Sequence, residues 1–291
     1  MKKSYLYAGI TIILWGTSSI TIASLLGKMT GLQALFYEFL LASIFLFCVI
    51  AKQGKLSVLK QYKAKDYLLL ILLGGLGIFA YNMLNTYSYK FATGTEAVAI
   101  NYLWPLWIIV TSIFILKEKV TWWKIIATFI SLFGMVLVVT RGDLTIFTKT
   151  SMLGAGMALL CGFCFGLFST LTKKIKYDKT VAMFIYFSSS MIISLICILL
   201  FSSFPHITLD SGLWLFLRGI VQFGIAYLVW TLALMGDTVK IANLALLTPF
   251  LQLASLAIFA GEKVGILSIL GLMLIISGTL IAQLEKEKNT A

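Results

Sequence analysis

The sequence predicts an all-α polytopic membrane protein: ten transmembrane helices arranged as two inverted five-helix repeats. Three observations carry this expectation. First, 60% of the 291 residues are hydrophobic and 12% are charged, with a mean hydropathy of +1.00. A water-soluble domain of that length cannot cover so much apolar surface. Second, apolar runs of about 20 residues recur along the whole chain, the length a helix needs to cross a hydrocarbon core of roughly 30 Å. A transmembrane β-barrel would instead show alternating segments of about 10 residues, and none is visible. Third, the chain repeats itself at an offset of 144 residues: Pro105 with Pro249, Glu118 with Glu262, Lys119 with Lys263, Val120 with Val264 and Gly134 with Gly278.

The crossings follow in order. Met1-Lys2-Lys3 before an apolar run has the look of a signal peptide. The run Tyr5–Leu26 is long for one, however, and no A-x-A-like site follows, so it reads as an uncleaved first crossing. Leu32–Ala51, Tyr67–Tyr87, Ala97–Leu116 and Trp123–Thr140 complete a first repeat over residues 1–140. Met152–Thr172, Val181–Ser202, Leu213–Leu234, Ile241–Ala260 and Ile266–Gln283 form a second repeat over residues 152–291. The loops are short and leave no room for a soluble domain. The longest, Lys52–Asp66, carries five lysines.

A net charge of +12 suggests nucleic acid in a soluble protein. In short membrane loops, Lys and Arg instead set topology, so no nucleic-acid partner is expected. Of the 23 Lys and Arg residues, seventeen fall at the N-terminus, in the even-numbered loops and in the C-terminal tail. Five fall in the odd-numbered loops, and Arg218 lies inside a crossing. The positive-inside rule then places both termini in the cytoplasm of a multi-pass protein of the cell (inner) membrane. Five crossings per repeat is an odd number, so the second repeat enters the membrane upside down. Inverted repeats mark many secondary transporters, which bind substrate near the midplane and rock one half against the other.

Candidate functional residues fall into three groups. Pro105 and Pro249 sit near mid-crossing, where each removes a backbone hydrogen bond and frees the carbonyl four residues earlier, on Asn101 and Ala245. Such a break suits a wet cavity, though it also serves as a packing kink. The aromatics Tyr81, Tyr102, Trp104, Tyr227 and Trp230 lie deep, away from the headgroups. Their polar tips need partners, which fits a cavity lining, and packing is the competing account. Trp122, Trp123 and Trp214 sit at crossing ends as interface anchors. The polar residues at depth are Glu38, Asn82, Asn85, Asn101, Arg218, Gln222, Asn243 and Gln252. At 1.5 Å per residue, Glu38 and Arg218 both lie roughly 10 Å below the outer surface. They are expected either to form an ion pair or to serve as a substrate or proton site.

Cys161-x-x-Cys164 has redox spacing but lies on an apolar helix, where packing is the simpler account. His206 sits in a polar loop without companions. The Lys117-Glu118-Lys119 and Glu262-Lys263 motifs read as links at helix ends, and Gly162-x-x-x-Gly166 as a close-packing face. No catalytic set, Walker motif or metal-ligand spacing is visible. The chain is therefore read as a non-enzyme with no cofactor and no metal.

The residues resemble a known family, the ten-helix transporters of the drug/metabolite transporter superfamily with two EamA-type repeats. Leu14-Trp15-Gly16-Thr17, Tyr89–Ala97 leading into Pro105, and Lys117–Val120 carry the likeness in the first half. Met235–Val239, Thr248-Pro249 and Gly261–Val264 carry it in the second. Asn101–Pro105, Ala226-Tyr227 with Trp230, and Thr248-Pro249 are also similar to the aromatic amino-acid exporter branch. That likeness implies cavity roles for Tyr102, Trp104 and Pro105; Trp15 and Phe165 are further cavity candidates. Phe165 stands where a cavity tryptophan is often found. Glu38 stands in a helix where many EamA-type repeats have an arginine, which bears on substrate charge. The resemblance implies export of aromatic or apolar amino acids by alternating access. An organic cation such as a quaternary amine is the alternative cargo, and a non-transporting receptor or assembly factor the alternative class. Expected partners are a small-molecule substrate, the lipid bilayer and, as a candidate coupling ion, protons. Monomer and homodimer both stay open.

Overall fold

The computed structural model describes residues 2–25, 27–92, 94–143, 145, 151–261 and 264–284. The expectations for Glu262, Lys263, Lys149, Lys286 and Lys288 lie outside these residues. Ten helices are long and apolar enough to cross a membrane. They are α1 (Lys3–Ile22), α2 (Gly31–Lys52), α3 (Ala64–Ser88), α4 (Ala97–Leu116) and α5 (Trp122–Thr140) in the first half. In the second half they are α6 (Met152–Lys174), α7 (Lys179–Phe201), α8 (Leu209–Ala233), α9 (Thr238–Phe259) and α10 (Ile266–Leu284).

The observed ends differ from the hydropathic runs because caps set them. Thr30 accepts from the Gln33 amide and opens α2. Thr208 and Ser211 form a capping box that starts α8 ahead of the apolar run beginning at Leu213. Each satisfies amide donors that a helix start leaves orphaned. One element carries no strong hydropathic signal: the short helix Leu56–Gln61 inside the long basic loop.

Five crossings are irregular. α1 is interrupted at Thr17, whose hydroxyl donates to the Leu14 carbonyl at 2.8 Å. α3 and α8 each contain a wide π-helical stretch, Gly75–Ala80 and Leu217–Ile225. A glycine at each one brings its helix close to a neighbour. A Cβ on Gly74 would fall 2.7 Å from the Tyr186 backbone, and one on Gly219 would fall 2.7 Å from Leu41 Cβ. α4 breaks between Asn101 and Trp104, and α9 likewise between Ala245 and Thr248. In each break the turn tightens, with Leu103 N donating to Ile100 O and Leu247 N to Leu244 O. The proline then takes its place in the first turn of the next segment, where its missing N–H costs nothing.

The packing obeys a two-fold exchange of the halves. α1 packs on α8 and α9, and its counterpart α6 packs on α3 and α4. α2 packs on its own counterpart α7, and α5 on α10. The α5–α10 contact shows the inversion directly. A Cβ on Gly134 would lie 2.5 Å from the Gly271 carbonyl and 2.9 Å from Ile275 N. A Cβ on Gly278 would lie 2.5 Å from the Ala127 carbonyl and 2.9 Å from Ser131 N, the same contact shifted by 144 residues in each partner. Residue 127 thus faces 278 while 134 faces 271, so the two helices run antiparallel. Large apolar side chains such as Phe129, Phe133, Leu199 and Leu200 are exposed around the outside, as a lipid-facing belt requires.

Candidate substrate cavity

Helices α1, α3, α4, α6, α8 and α9 surround a central cavity of about 170 Å³. Its floor is aromatic, and Trp15 is the hub. The Trp15 ring lies 6.2 Å from Trp104, 5.9 Å from Phe165, 5.4 Å from Tyr227 and 5.6 Å from Trp230. Tyr81 adds a ring 4.7 Å from Phe165. Most of these pairs meet edge to face, which places a positive ring edge against a negative face and adds about 0.5–1.5 kcal/mol per pair. Two indole N–H groups are satisfied by protein. Trp15 Nε1 donates to the Gln222 carbonyl at 3.1 Å, and Trp230 Nε1 to Ser169 Oγ at 3.3 Å.

The walls are polar. Ser18 and Ser19 come from α1, Asn82 and Asn85 from α3, Asn101 and Tyr102 from α4, and Thr248 and Gln252 from α9. Gln252 Nε2 donates to Ser18 Oγ at 2.7 Å, and Asn82 Nδ2 reaches the Tyr227 hydroxyl at 3.5 Å. Asn85 Oδ1 and Thr248 Oγ1 are buried and have no hydrogen-bond partner.

Among the described residues, Arg218 is the one charged group on the wall. Its Nε donates to Glu38 Oε1, and its Nη2 reaches Glu38 Oε2 at 3.4 Å. The two residues anticipated as an ion pair or a proton site therefore form a forked ion pair. Glu38 is 1% exposed and stands off the cavity, so the charge facing inward is positive.

Five sequence candidates do not line the cavity, among them Asn243, whose amide donates instead to the Thr128 hydroxyl and the Val239 carbonyl, each at 3.0 Å. Glu38 is another. Trp230 is 1% exposed and supports the floor from below. Pro105 and Pro249 are buried, and their predecessors Trp104 and Thr248 face the cavity in their place. The carbonyl that Pro105 frees was expected at a wet cavity. It lies instead against α6, where a Cβ on Gly162 would come within 3.0 Å of Asn101 O. The Gly162-x-x-x-Gly166 face therefore docks onto the broken turn, with Gly166 against Trp107 and Ile108. Sequence reasoning missed Ser18, Ser19 and Phe223, since small hydroxyls and one more phenylalanine carry no signal in an apolar helix. The Gly16-Thr17 break just before the serines is the one available clue.

The lining residues occupy the C-terminal parts of α1 and α3 and the N-terminal parts of α4 and α8, which share one face of the bundle. The opposite face is tied shut. Lys173 Nζ donates to Glu118 Oε1 at 2.7 Å, Thr238 Oγ1 at 2.6 Å and the Gly236 carbonyl at 2.8 Å. Lys124 pairs with Asp237 at 2.7 Å. Cys161 and Cys164 are buried free thiols, and Cys161 Sγ donates to Asn101 Oδ1 at 3.1 Å beside the cavity wall, away from this face.

Two inverted five-helix halves around a partly polar central cavity, closed on one side, define a membrane transporter architecture. The profile of the EamA-like transporter family matches residues 2–140 and again 152–283, and the chain belongs to that family. Among curated relatives, an Escherichia coli (strain K12) protein called "Uncharacterized inner membrane transporter YhbE" is 31% identical over 139 residues. That match covers 48% of this chain and 43% of the relative, so the chain spans less than half of that protein's length in the alignment. An "Uncharacterized transporter" of Archaeoglobus fulgidus is 26% identical over 302 residues, covering 99% of each chain. A solved crystal structure superposes with a TM-score of 0.86 over 98% of this chain and 97% of the other, at 21% identity, a likeness of fold. The protein is thus a multi-pass membrane protein of the EamA-like transporter family.

Proposed function

We propose that this transporter moves amino acids, aromatic or apolar ones first, across the inner membrane by alternating access. The observation that carries the substrate class is the pairing of an inward-facing guanidinium with an aromatic floor. An amino acid offers a carboxylate to the first and a side chain to the second, and the wall amides and hydroxyls suit its ammonium group. The organic-cation alternative needs an anionic or aromatic box, and here the wall cation Arg218 opposes it. The excess of Lys and Arg on one side supports cytoplasmic termini, and with them a cavity that opens outward and a Lys173 cluster that faces the cytoplasm.

Flux into proteoliposomes, measured in parallel for phenylalanine, threonine and choline, tests the proposal. Saturable phenylalanine flux exceeding that of choline is expected. Saturable choline flux without amino-acid flux overturns the substrate class. Binding of phenylalanine without any flux overturns transport and favours a receptor.

A further inference from the structure

Resting on that reading, we infer that Arg218 is the anchor for the substrate carboxylate and that Glu38 holds it in position from behind. A charged pair inside a bilayer is costly, and apolar residues of the same volume fill a purely structural slot as well or better. The geometry gives this pair a different task.

Glu38 engages only the Nε and Nη2 edge of the guanidinium. The Nη1 edge has long contacts alone, 3.4 Å to the Thr21 hydroxyl and 3.5 Å to Gln222 Oε1. Those two partners are already occupied with each other and with α1. Thr21 Oγ1 donates to Gln222 Oε1 at 2.9 Å, and Gln222 Nε2 donates to Thr17 Oγ1 at 3.1 Å. A planar fork held along one edge keeps its other edge for a second carboxylate.

The backbone supports the same assignment. Arg218 lies on the π-helical stretch Leu217–Ile225, a distortion frequent at functional sites. The Trp15 indole grips the Gln222 carbonyl of that stretch, which ties the guanidinium's helix to the aromatic floor. Across the cavity, Asn85 Oδ1 and the Thr248 hydroxyl are buried without partners, and Thr248 is only 1% exposed. Buried polar atoms left unpaired are costly. A ligand with a carboxylate on Arg218, an ammonium on the Asn85 amide oxygen and a side chain over Trp15 and Phe165 gives the free guanidinium edge and the Asn85 oxygen a partner.

The test is competition against labelled phenylalanine flux in proteoliposomes, with direct binding of each unlabelled compound alongside. 3-Phenylpropionate keeps the carboxylate and lacks the amine, while phenylalaninamide and phenethylamine lack the carboxylate. In the unaltered protein, loss of the carboxylate is expected to weaken binding about tenfold or more, the scale of a charge-assisted fork. The double variant Glu38→Gln with Arg218→Gln removes both charges and leaves no buried ion unpaired. It is expected to fold with an unfolding midpoint close to that of the unaltered protein and to bind phenylalanine and its amide equally. Arg218→Lys retains charge without the fork and is expected to fall between.

The outcomes separate the two claims. If phenylalanine is carried but the amide competes equally well, the anchor is wrong and the amino-acid reading stands. If the double variant still prefers the acid, the anchor is also wrong. If 3-phenylpropionate binds in an Arg218-dependent way and phenylalanine does not, the anchor stands and the amino-acid reading falls. If no carboxylate in the series binds, both fall.

Discussion

Trp15 touches four aromatic partners with one ring and fixes a backbone carbonyl with its N–H. Removing it leaves a void and takes one hydrogen bond from the Gln222 carbonyl. Trp15→Ala is expected to cost about 3–5 kcal/mol, and Trp15→Phe distinctly less; unfolding in mixed detergent micelles measures both. Asp178 works outside the bilayer. It caps α7 through the amides of Thr180 at 3.0 Å and Val181 at 3.1 Å, and pairs with Lys55 at 2.8 Å. Partial burial pushes its carboxyl upward, but the Lys55 bond and the two amides outweigh this and hold it below the usual range. A depressed folded pKa means stabilisation that is present above the unfolded value, near 3.9, and lost as pH falls through the folded one. Wild-type stability should therefore drop on acidification below about pH 4. Asp178→Asn should flatten that part of the profile, and Asp178→Ala should cost about 1 kcal/mol even at pH 7. A profile unchanged in Asp178→Asn removes this account of the cap.

The ends of the fourth crossing in each repeat show how one backbone need meets two sequences. α4 ends on Lys117 at φ 56° and α9 on its counterpart Gly261 at φ 70°. Lysine in the left-handed region carries steric strain of about 1–2 kcal/mol. Lys117→Gly should recover part of this, raising stability by about 0.5–1 kcal/mol, because the side chain is exposed. A loss of stability would mean that the lysine makes a contact outweighing its strain. The α4–α6 seam offers an opposite case. A Cβ on Gly166 would fall 2.5 Å from Trp107 Cβ, whereas one on Gly156 meets nothing within 4 Å. Gly166→Ala should cost about 1–3 kcal/mol and Gly156→Ala should be neutral or stabilising. At this scale the ten crossings were legible because a hydrocarbon core demands unbroken apolar length. Caps such as Thr208 and the helix Leu56–Gln61 were not, because single hydroxyls and six-residue segments leave no hydropathic trace.

For the molecule as a whole, the repeat offset carried the architecture, since parity alone makes the two halves inverted. The cavity was legible only in part. Deep Tyr, Trp, Asn and Gln residues announce themselves by the cost of burying polar tips, and eleven of the wall and floor residues were found that way or by resemblance. Facing direction is set by packing, which is why Pro105, Pro249 and Trp230 pointed to the cavity in sequence and stand behind it in space. The Lys173 cluster likewise joins residues 55 to 65 positions apart that no local pattern connects. Its place bears on transport. Lys173 of α6 binds Glu118 at the end of α4, Thr238 of α9 and the turn before it, so three elements are locked on the face opposite the cavity mouth. Alternating access requires these bonds to break while the α5–α10 seam holds. Lys173→Gln removes a charge-assisted contact and leaves Glu118 its bond from Thr238, at 2.7 Å. The population open to this face should rise about tenfold, as expected for loss of one to two kcal/mol from the closed state. A cysteine at Ala242, fully buried in α9, placed in a background with Cys48, Cys161, Cys164 and Cys197 replaced, reports this opening. Its alkylation by an impermeant reagent added from the face of the Lys173 cluster should accelerate by that factor in Lys173→Gln. An equal rate with and without the substitution would mean that the apolar packing of Trp230 and Phe168, and not this cluster, keeps the face closed.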